Sequence, residues 1–196
     1  ALLRMLDNRQ TPELGPIAIN GATGGVGMLA TSLFFKAGFD VYAISGKPEH
    51  SDYLKKLGAK KILGRESVLT DKAMDSIVFG GAVDSVGGKM LSSLLAKTTP
   101  YGNVASCGLV ASADLNATVM PFIIRGVSLL GIASAGTERA IREKVWQILA
   151  KYWNSSTLQQ LVVHEITLSE LDSIFDKMLK GLSFGRCIVK IHKDAC

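Results

Sequence analysis

The residues with the clearest chemical potential are Gly21 to Gly27, which read Gly-Ala-Thr-Gly-Gly-Val-Gly. A short strand, Ile17 to Asn20, leads into them, and apolar positions follow at Val26, Leu29, Ala30, Leu33 and Ala37. Those intervals of three and four describe one face of a helix, which Gly38 ends. A strand feeding a glycine loop feeding a helix aims backbone N–H groups and the positive end of the helix dipole at one spot, and that spot suits a pyrophosphate. Gly24 and Gly25 let the backbone approach a ligand closely, and Gly27 lets the helix seat tightly on the sheet.

The end of the second strand, Val41 to Ile44, decides which dinucleotide such a loop accepts. NAD binders place an acidic side chain there to hold the ribose hydroxyls. Here the chain reads Ser45-Gly46-Lys47, with no carboxylate before Glu49. A carboxylate would repel a 2′-phosphate, whereas a hydroxyl, a backbone N–H and an ammonium would hold it. Arg65, beyond a brief third strand at Ile62 to Leu63, adds a guanidinium for phosphate or adenine. NADP is therefore expected over NAD; the plain alternative leaves Lys47 and Arg65 as solvated surface charges.

Other chemistries fit less well. Gly21, Gly25 and Gly27 match the glycine spacing of short-chain dehydrogenases, with Asn20 in place of threonine. Those enzymes need a Tyr-x-x-x-Lys pair, in which the lysine lowers the tyrosine pKa. Four positions after Tyr42, Tyr53, Tyr101 and Tyr152 stand Gly46, Leu57, Ala105 and Ser156, so that reading fails. A methyltransferase would need an acidic residue where Ser45 stands. His50, His164 and His192 are isolated, and Cys107, Cys187 and Cys196 show no metal-ligand spacing. No metal site is expected. Ser106 and Cys107 lie near the end of a strand, but no residue is assigned as proton donor.

The elements that must position this loop follow from hydrophobic periodicity. Further strands are expected at Ala82 to Val86, Val104 to Cys107 and Val127 to Ile132, with helices at Glu49 to Leu57, Lys89 to Lys97 and Glu138 to Trp153. Apolar strands alternating with helices indicate a parallel sheet covered on both faces, a doubly wound α/β (Rossmann) domain over residues 1–155. Residues 156–196 differ. Thr167 and Glu170 form a capping box for a helix with Leu171, Ile174, Phe175, Met178 and Leu179 on one face, and Cys187 to Ile191 is a terminal strand. This tail is expected to complete a second domain.

Composition narrows the class. The 196 residues are 47% hydrophobic and 20% charged, with a formal net charge of +5. That balance belongs to a folded globular chain. No Lys/Arg cluster is interleaved with aromatics, which argues against nucleic acid. No apolar run reaches the ~20 residues of a bilayer span, so a cytoplasmic location and no membrane partner are expected. Ala1 to Asp7 reads as the end of a helix already under way, as in a piece of a longer protein.

Several segments, in order, carry a family resemblance: INGATGGVG, AISGK, LGAKKILGR, AVDSVGGK, ASCGL, VMPFIIRGVSLLGIAS and GRCIVKI. Together they resemble the medium-chain dehydrogenases/reductases, in the branch of zinc-free quinone oxidoreductases and acryloyl-CoA reductases. The resemblance implies that Thr23, Gly24, Gly25 and Val26 contact the pyrophosphate. It implies that Ser45, Gly46 and Lys47 hold the 2′-phosphate with Arg65, Lys47 standing where an arginine is frequent. Leu109, Ile124 and Ser134 would line the nicotinamide end, and Arg186 would close the pocket from the tail. The strand at 127–132 would pair two copies into a homodimer. The tail would complete a GroES-like catalytic domain, and NADPH would deliver hydride to an activated alkene, an enoyl thioester or a quinone-like acceptor, as a small-molecule substrate. The alternative is a module that binds NADPH without turnover.

Overall fold

The structure is a computed structural model that describes residues 1–152 and 161–191. It divides into two compact units, Ala1–Ser134 and Ala135–Cys196. The boundary expected at residue 155 falls outside the described residues, as do His192 and Cys196.

The first unit is built on a six-stranded parallel sheet: β1 (Ile17–Ile19), β2 (Val41–Ile44), β3 (Ala59–Leu63), β4 (Phe79–Asp84), β5 (Thr98–Ser106) and β6 (Ser128–Gly131), in the order β3-β2-β1-β4-β5-β6. Five helices accompany it: α1 (Leu2–Asp7), α2 (Gly25–Lys36), α3 (Ser51–Lys56), α4 (Gly88–Lys97) and α5 (Met120–Arg125). The period of two along each strand divides the core between the faces. Ala18, Ala82 and Val104 pack with Met90, Leu91, Leu94 and Leu95 of α4. Ile17, Ile19, Val83 and Ala105 pack with Met5 of α1 and with Ala30 and Phe34 of α2. The doubly wound α/β fold expected from the sequence is what forms.

Three local readings need correction. The apolar positions expected to line the core side of α2 include Val26, yet Val26 is 53% exposed, and the helix buries Gly27, Met28, Ala30, Thr31, Ser32 and Phe34 instead. Small residues seat this helix close to the sheet, and the Thr31 hydroxyl is satisfied internally by donating to Gly27 O at 2.9 Å. The fourth strand runs Phe79–Asp84 rather than 82–86. Its glycines are points of contact instead of breaks: a Cβ on Gly80 would lie 2.4 Å from Gly15 O, and one on Gly81 would lie 2.7 Å from Asn103 O. Finally, Met120–Arg125, unassigned by its pattern, is helical, started by Pro121 and closed by Gly126 in the left-handed region at φ 60°.

The second unit contains α6 (Arg139–Tyr152), β7 (Val162–Thr167), α7 (Leu171–Leu179) and β8 (Arg186–Lys190), with β7 and β8 parallel. The expected capping box is present: the Thr167 N–H donates to Glu170 Oε2 at 2.8 Å.

An ionic clamp closes the edge of the main sheet where β4, β5 and β6 begin. Lys97 Nζ sits 2.9 Å from Asp75 Oδ2, and Lys72 Nζ 3.2 Å from Oδ1. The Arg125 guanidinium donates to the carbonyls of Ala96, Thr98 and Asp75. The hydrogen bond from Lys97, then the Ser76 N–H, holds the Asp75 carboxyl well below the usual carboxylate range. A carboxyl depressed by folding contributes stability that is complete above its unfolded pKa and is lost as pH falls through the folded one. Asp75→Asn should therefore melt below the parent at neutral pH, and the gap should narrow as the pH is lowered past about 4. Thermal unfolding followed by circular dichroism across that range checks it; a gap independent of pH would refute the assignment.

Candidate functional site

Every strand of a parallel sheet delivers its C-terminal end to the same edge, and the loops beyond those ends form the site. The strand order reverses between β1 and β4. The chain leaves β1 toward α2 on one face and leaves β4 toward α4 on the other. Loops that part at such a point bound the place where an open α/β sheet usually holds its ligand.

The β1–α2 loop is shaped by glycine. Gly21 adopts φ 57°, and a Cβ there would lie 2.7 Å from Ser85 Oγ. The Gly24 N–H donates to Gly21 O at 2.9 Å, tightening the bend. A Cβ on Gly27 would fall 2.3 Å from Gly21 O and 2.6 Å from Ala22 Cα, so the first turn of α2 rests directly on the loop backbone. Gly24 is the N-cap, and no side chain caps the helix. The positive end of a twelve-residue helix thus opens onto a surface of backbone, with Gly24 exposed and Thr23 buried beside it.

The second cluster lies beyond β2 and β3. Ser45 is buried, held by its N–H donating to Leu63 O at 3.0 Å, and its hydroxyl accepts the Lys47 N–H at 3.0 Å. A Cβ on Gly46 would come within 2.9 Å of the Arg65 guanidinium, so the Arg65 side chain lies against this backbone. Partial burial and then the Arg65 charge push the Lys47 ammonium pKa down, against the opposing pull of Glu49. A guanidinium close enough to disfavour the Lys47 charge makes, with that ammonium, a site that a doubly charged anion would relieve. A glycine cradle for a diphosphate, beside a hydroxyl and two cations, fits an adenine dinucleotide phosphate.

The remaining expected residues are more dispersed. Leu109 follows β5 and is exposed, its Cα 3.3 Å from where a Gly87 Cβ would stand. Ile124 is exposed on α5, and Ser134 is exposed at the end of the first unit. Arg186 is exposed at the start of β8 in the second unit. Burial pushes the Cys107 thiol pKa up, so it is poorly suited to act as a nucleophile. Among the described residues, no group of three or more His, Cys, Asp or Glu side chains could hold a metal ion.

The sequence patterns missed a buried polar link beneath the crevice. Asn20 donates to Asp84 Oδ1, and the Ser85 N–H donates to Asn20 Oδ1 at 2.7 Å. The carboxylate also accepts the Gly87 N–H at 3.0 Å. The one signal was Asn20, which stands where the rejected short-chain dehydrogenase pattern has threonine.

A family model described as a zinc-binding dehydrogenase matches residues 25–151. Among curated proteins, the chain is 43% identical over 190 residues to the putative quinone oxidoreductase YhfP of Bacillus subtilis, covering 96% of this chain and 58% of that protein. It is 37% identical over 194 residues to the acrylyl-CoA reductase AcuI of Ruegeria pomeroyi, covering 98% and 58%. The yhdH oxidoreductase from Salmonella enterica, solved in complex with NADP, superposes with a TM-score of 0.92 at 37% identity, over 97% of this chain and 59% of that one. Bacillus subtilis yhfP, solved with NAD bound, gives a TM-score of 0.90 at 42% identity, over 97% and 58%. The chain therefore spans well under two thirds of the length of these relatives.

The loop geometry makes a sharp contrast between glycines. Gly27→Ala drives a carbon into backbone that cannot rotate away, and should cost about 1–3 kcal/mol, the range for overpacking. Gly64→Ala meets nothing within 4 Å and should be silent. Urea unfolding of both variants measures the difference, and equal midpoints would refute the tight seating of α2.

Proposed function

Because this chain belongs to the zinc-binding dehydrogenase family, among the medium-chain dehydrogenases/reductases, we propose that it is the cofactor-binding part of an NADPH-dependent oxidoreductase that works without zinc. The observation that carries this reading is the pairing of an uncapped helix start behind a glycine loop with Ser45, Lys47 and Arg65 at the adenosine end. The names of the relatives support two acceptor classes, a quinone-like compound and an enoyl thioester such as acryloyl-CoA. A similar protein, yhfP of Bacillus subtilis, was solved with NAD bound. The preference for NADPH is drawn from the two cations of this chain.

When bound, the nicotinamide supplies hydride to the β-carbon of an activated alkene. The residues here bind and orient. Thr23, Gly24, Gly25 and Val26 present backbone to the diphosphate, and the dipole of α2 offsets its charge. Ser45, Gly46, Lys47 and Arg65 take the 2′-phosphate; the ammonium supplies charge, and the guanidinium supplies a planar fork. Leu109, Ile124 and Ser134 would border the nicotinamide. Residues 156–196 would complete a GroES-like catalytic domain. The edge strand β6 would pair two copies, which would cover its open backbone groups.

NADPH should bind this chain more tightly than NADH. The advantage should shrink roughly tenfold to a hundredfold in a Lys47→Ala/Arg65→Ala variant, as the loss of two charge-assisted contacts implies. Paired fluorescence titrations measure this, and equal affinities in the parent chain would overturn the NADP assignment. NADPH oxidation by the full-length protein with acryloyl-CoA or a quinone separates an enzyme from a binding module. Pairing through β6 predicts a dimer in sedimentation; a persistent monomer of the full-length protein would refute it.

A further inference from the structure

We propose that Asp84, acting through Asn20, is a positioning residue that locks the glycine loop to the β4–α4 loop and so sets the mouth of the crevice for the diphosphate. This inference rests on the dinucleotide reading above and adds the device that holds the site in shape.

The two loops leave adjacent strands toward opposite faces of the sheet; past the last backbone bond between them, from the Asn20 N–H to Val83 O at 3.2 Å, side chains bridge the gap. Asp84 has no exposed surface, and Asn20 is 1% exposed. A buried carboxylate is costly unless its lone pairs are used. Here they are shared between the two sides. From the glycine loop comes the Asn20 side-chain amide; from the β4 loop come the Gly87 N–H at 3.0 Å and 3.2 Å to the two oxygens and the Val86 N–H at 3.4 Å. Asn20 Oδ1 returns the link by accepting the Ser85 N–H, and Ser85 Oγ donates to Asn20 O at 3.3 Å. The result is a closed ring of hydrogen bonds with Asn20 on one side of the switch point and Asp84 and Ser85 on the other.

Its effect on the loop is steric as well as polar. Ser85 is drawn so close that a single carbon added to Gly21 would meet its hydroxyl at 2.7 Å. The β5 loop is gathered in too: the Cys107 N–H donates to Asp84 O at 2.8 Å, and a Cβ on Gly108 would lie 2.5 Å from Ser85 O. Asp84 is thus the common point of the loops after β1, β4 and β5. Carboxylate and amide are the same shape, so the role belongs to the pattern of donors and acceptors rather than to volume. In Asp84→Asn, the orientation that still accepts from Asn20 at Oδ1 turns an NH₂ toward the Gly87 N–H that Oδ2 accepts.

The test uses three variants: Asp84→Asn, Asn20→Ala, and the exchange Asn20→Asp/Asp84→Asn, which restores one carboxylate and one amide in reversed positions. Titrations with NADPH and with adenosine 2′-monophosphate, which reaches only the Ser45–Arg65 cluster, separate loop placement from general damage. Asp84→Asn and Asn20→Ala should weaken NADPH about tenfold, as for a lost buried hydrogen bond, leave the monophosphate unchanged, and the exchange should recover most of the loss. Hydrogen exchange of the cofactor-free protein gives a second readout. Amides of residues 21–27 should quicken in Asn20→Ala, while those of β2 keep their rates. Equal weakening of both ligands, no recovery on exchange, or unaltered loop protection would overturn the proposal. Should Asp84→Asn fail to fold, the exchange variant and Asn20→Ala still decide it. A parent chain that binds no NADPH would sink the cofactor reading, whereas the exchange rates would still judge the Asp84–Asn20 link.

Discussion

The first turn of α2 lies on the backbone of the loop before it, with the Gly27 α-carbon facing Gly21 O across a gap that excludes even one methyl group. This contact fixes where the helix starts, and the helix start fixes where its unpaired N–H groups point. Had a side chain intervened, α2 would ride higher on the sheet, and Ala30 and Phe34 would lose their places against Ile17, Ile19 and Val41. Core and site are therefore joined through one close approach.

The electrostatics follow the same geometry. The helix end offers a partial positive charge at the centre of the crevice, and Lys47 and Arg65 place two full charges beyond β2 and β3. The group that completes this arrangement must be elongated and anionic at two places. Against this field, Asp84 carries the one wholly buried carboxylate of the loop region, and burial pushes its pKa up while Asn20 and the Gly87 N–H pull the other way. Its lone pairs are turned into the protein, where they organise donors instead of repelling a phosphate.

Much of this was legible in the sequence, and the exceptions have physical causes. The β1–loop–α2 unit, β2, α4 and the capping box at Thr167 and Glu170 follow from local periodicity and local hydrogen bonds, and they lie where those patterns put them. The buried face of α2 was misread because hydrophobicity favours Val26 over Gly27 and Thr31, whereas close seating selects for smallness. The start of β4 was missed because Gly80 and Gly81 look like a turn; their role is visible only once Gly15 and Asn103 lie alongside. The Asn20–Asp84 link joins residues 64 positions apart, and no spacing rule reaches that far. The cation cluster was found because Ser45, Gly46 and Lys47 are contiguous, and Arg65 follows the neighbouring strand.

The ionic clamp of Asp75, Lys97 and Arg125 sits where strands enter the sheet, and the ligand crevice sits where they leave it. The clamp and the candidate site are thus housed at opposite rims of one layer, joined by the strands between them. Drift in the exit loops can retune nucleotide or acceptor choice without loosening the entry rim, since distant changes combine almost additively. A scaffold divided in this way can change what its loops hold while remaining folded, since function lives in sites grafted on a fold.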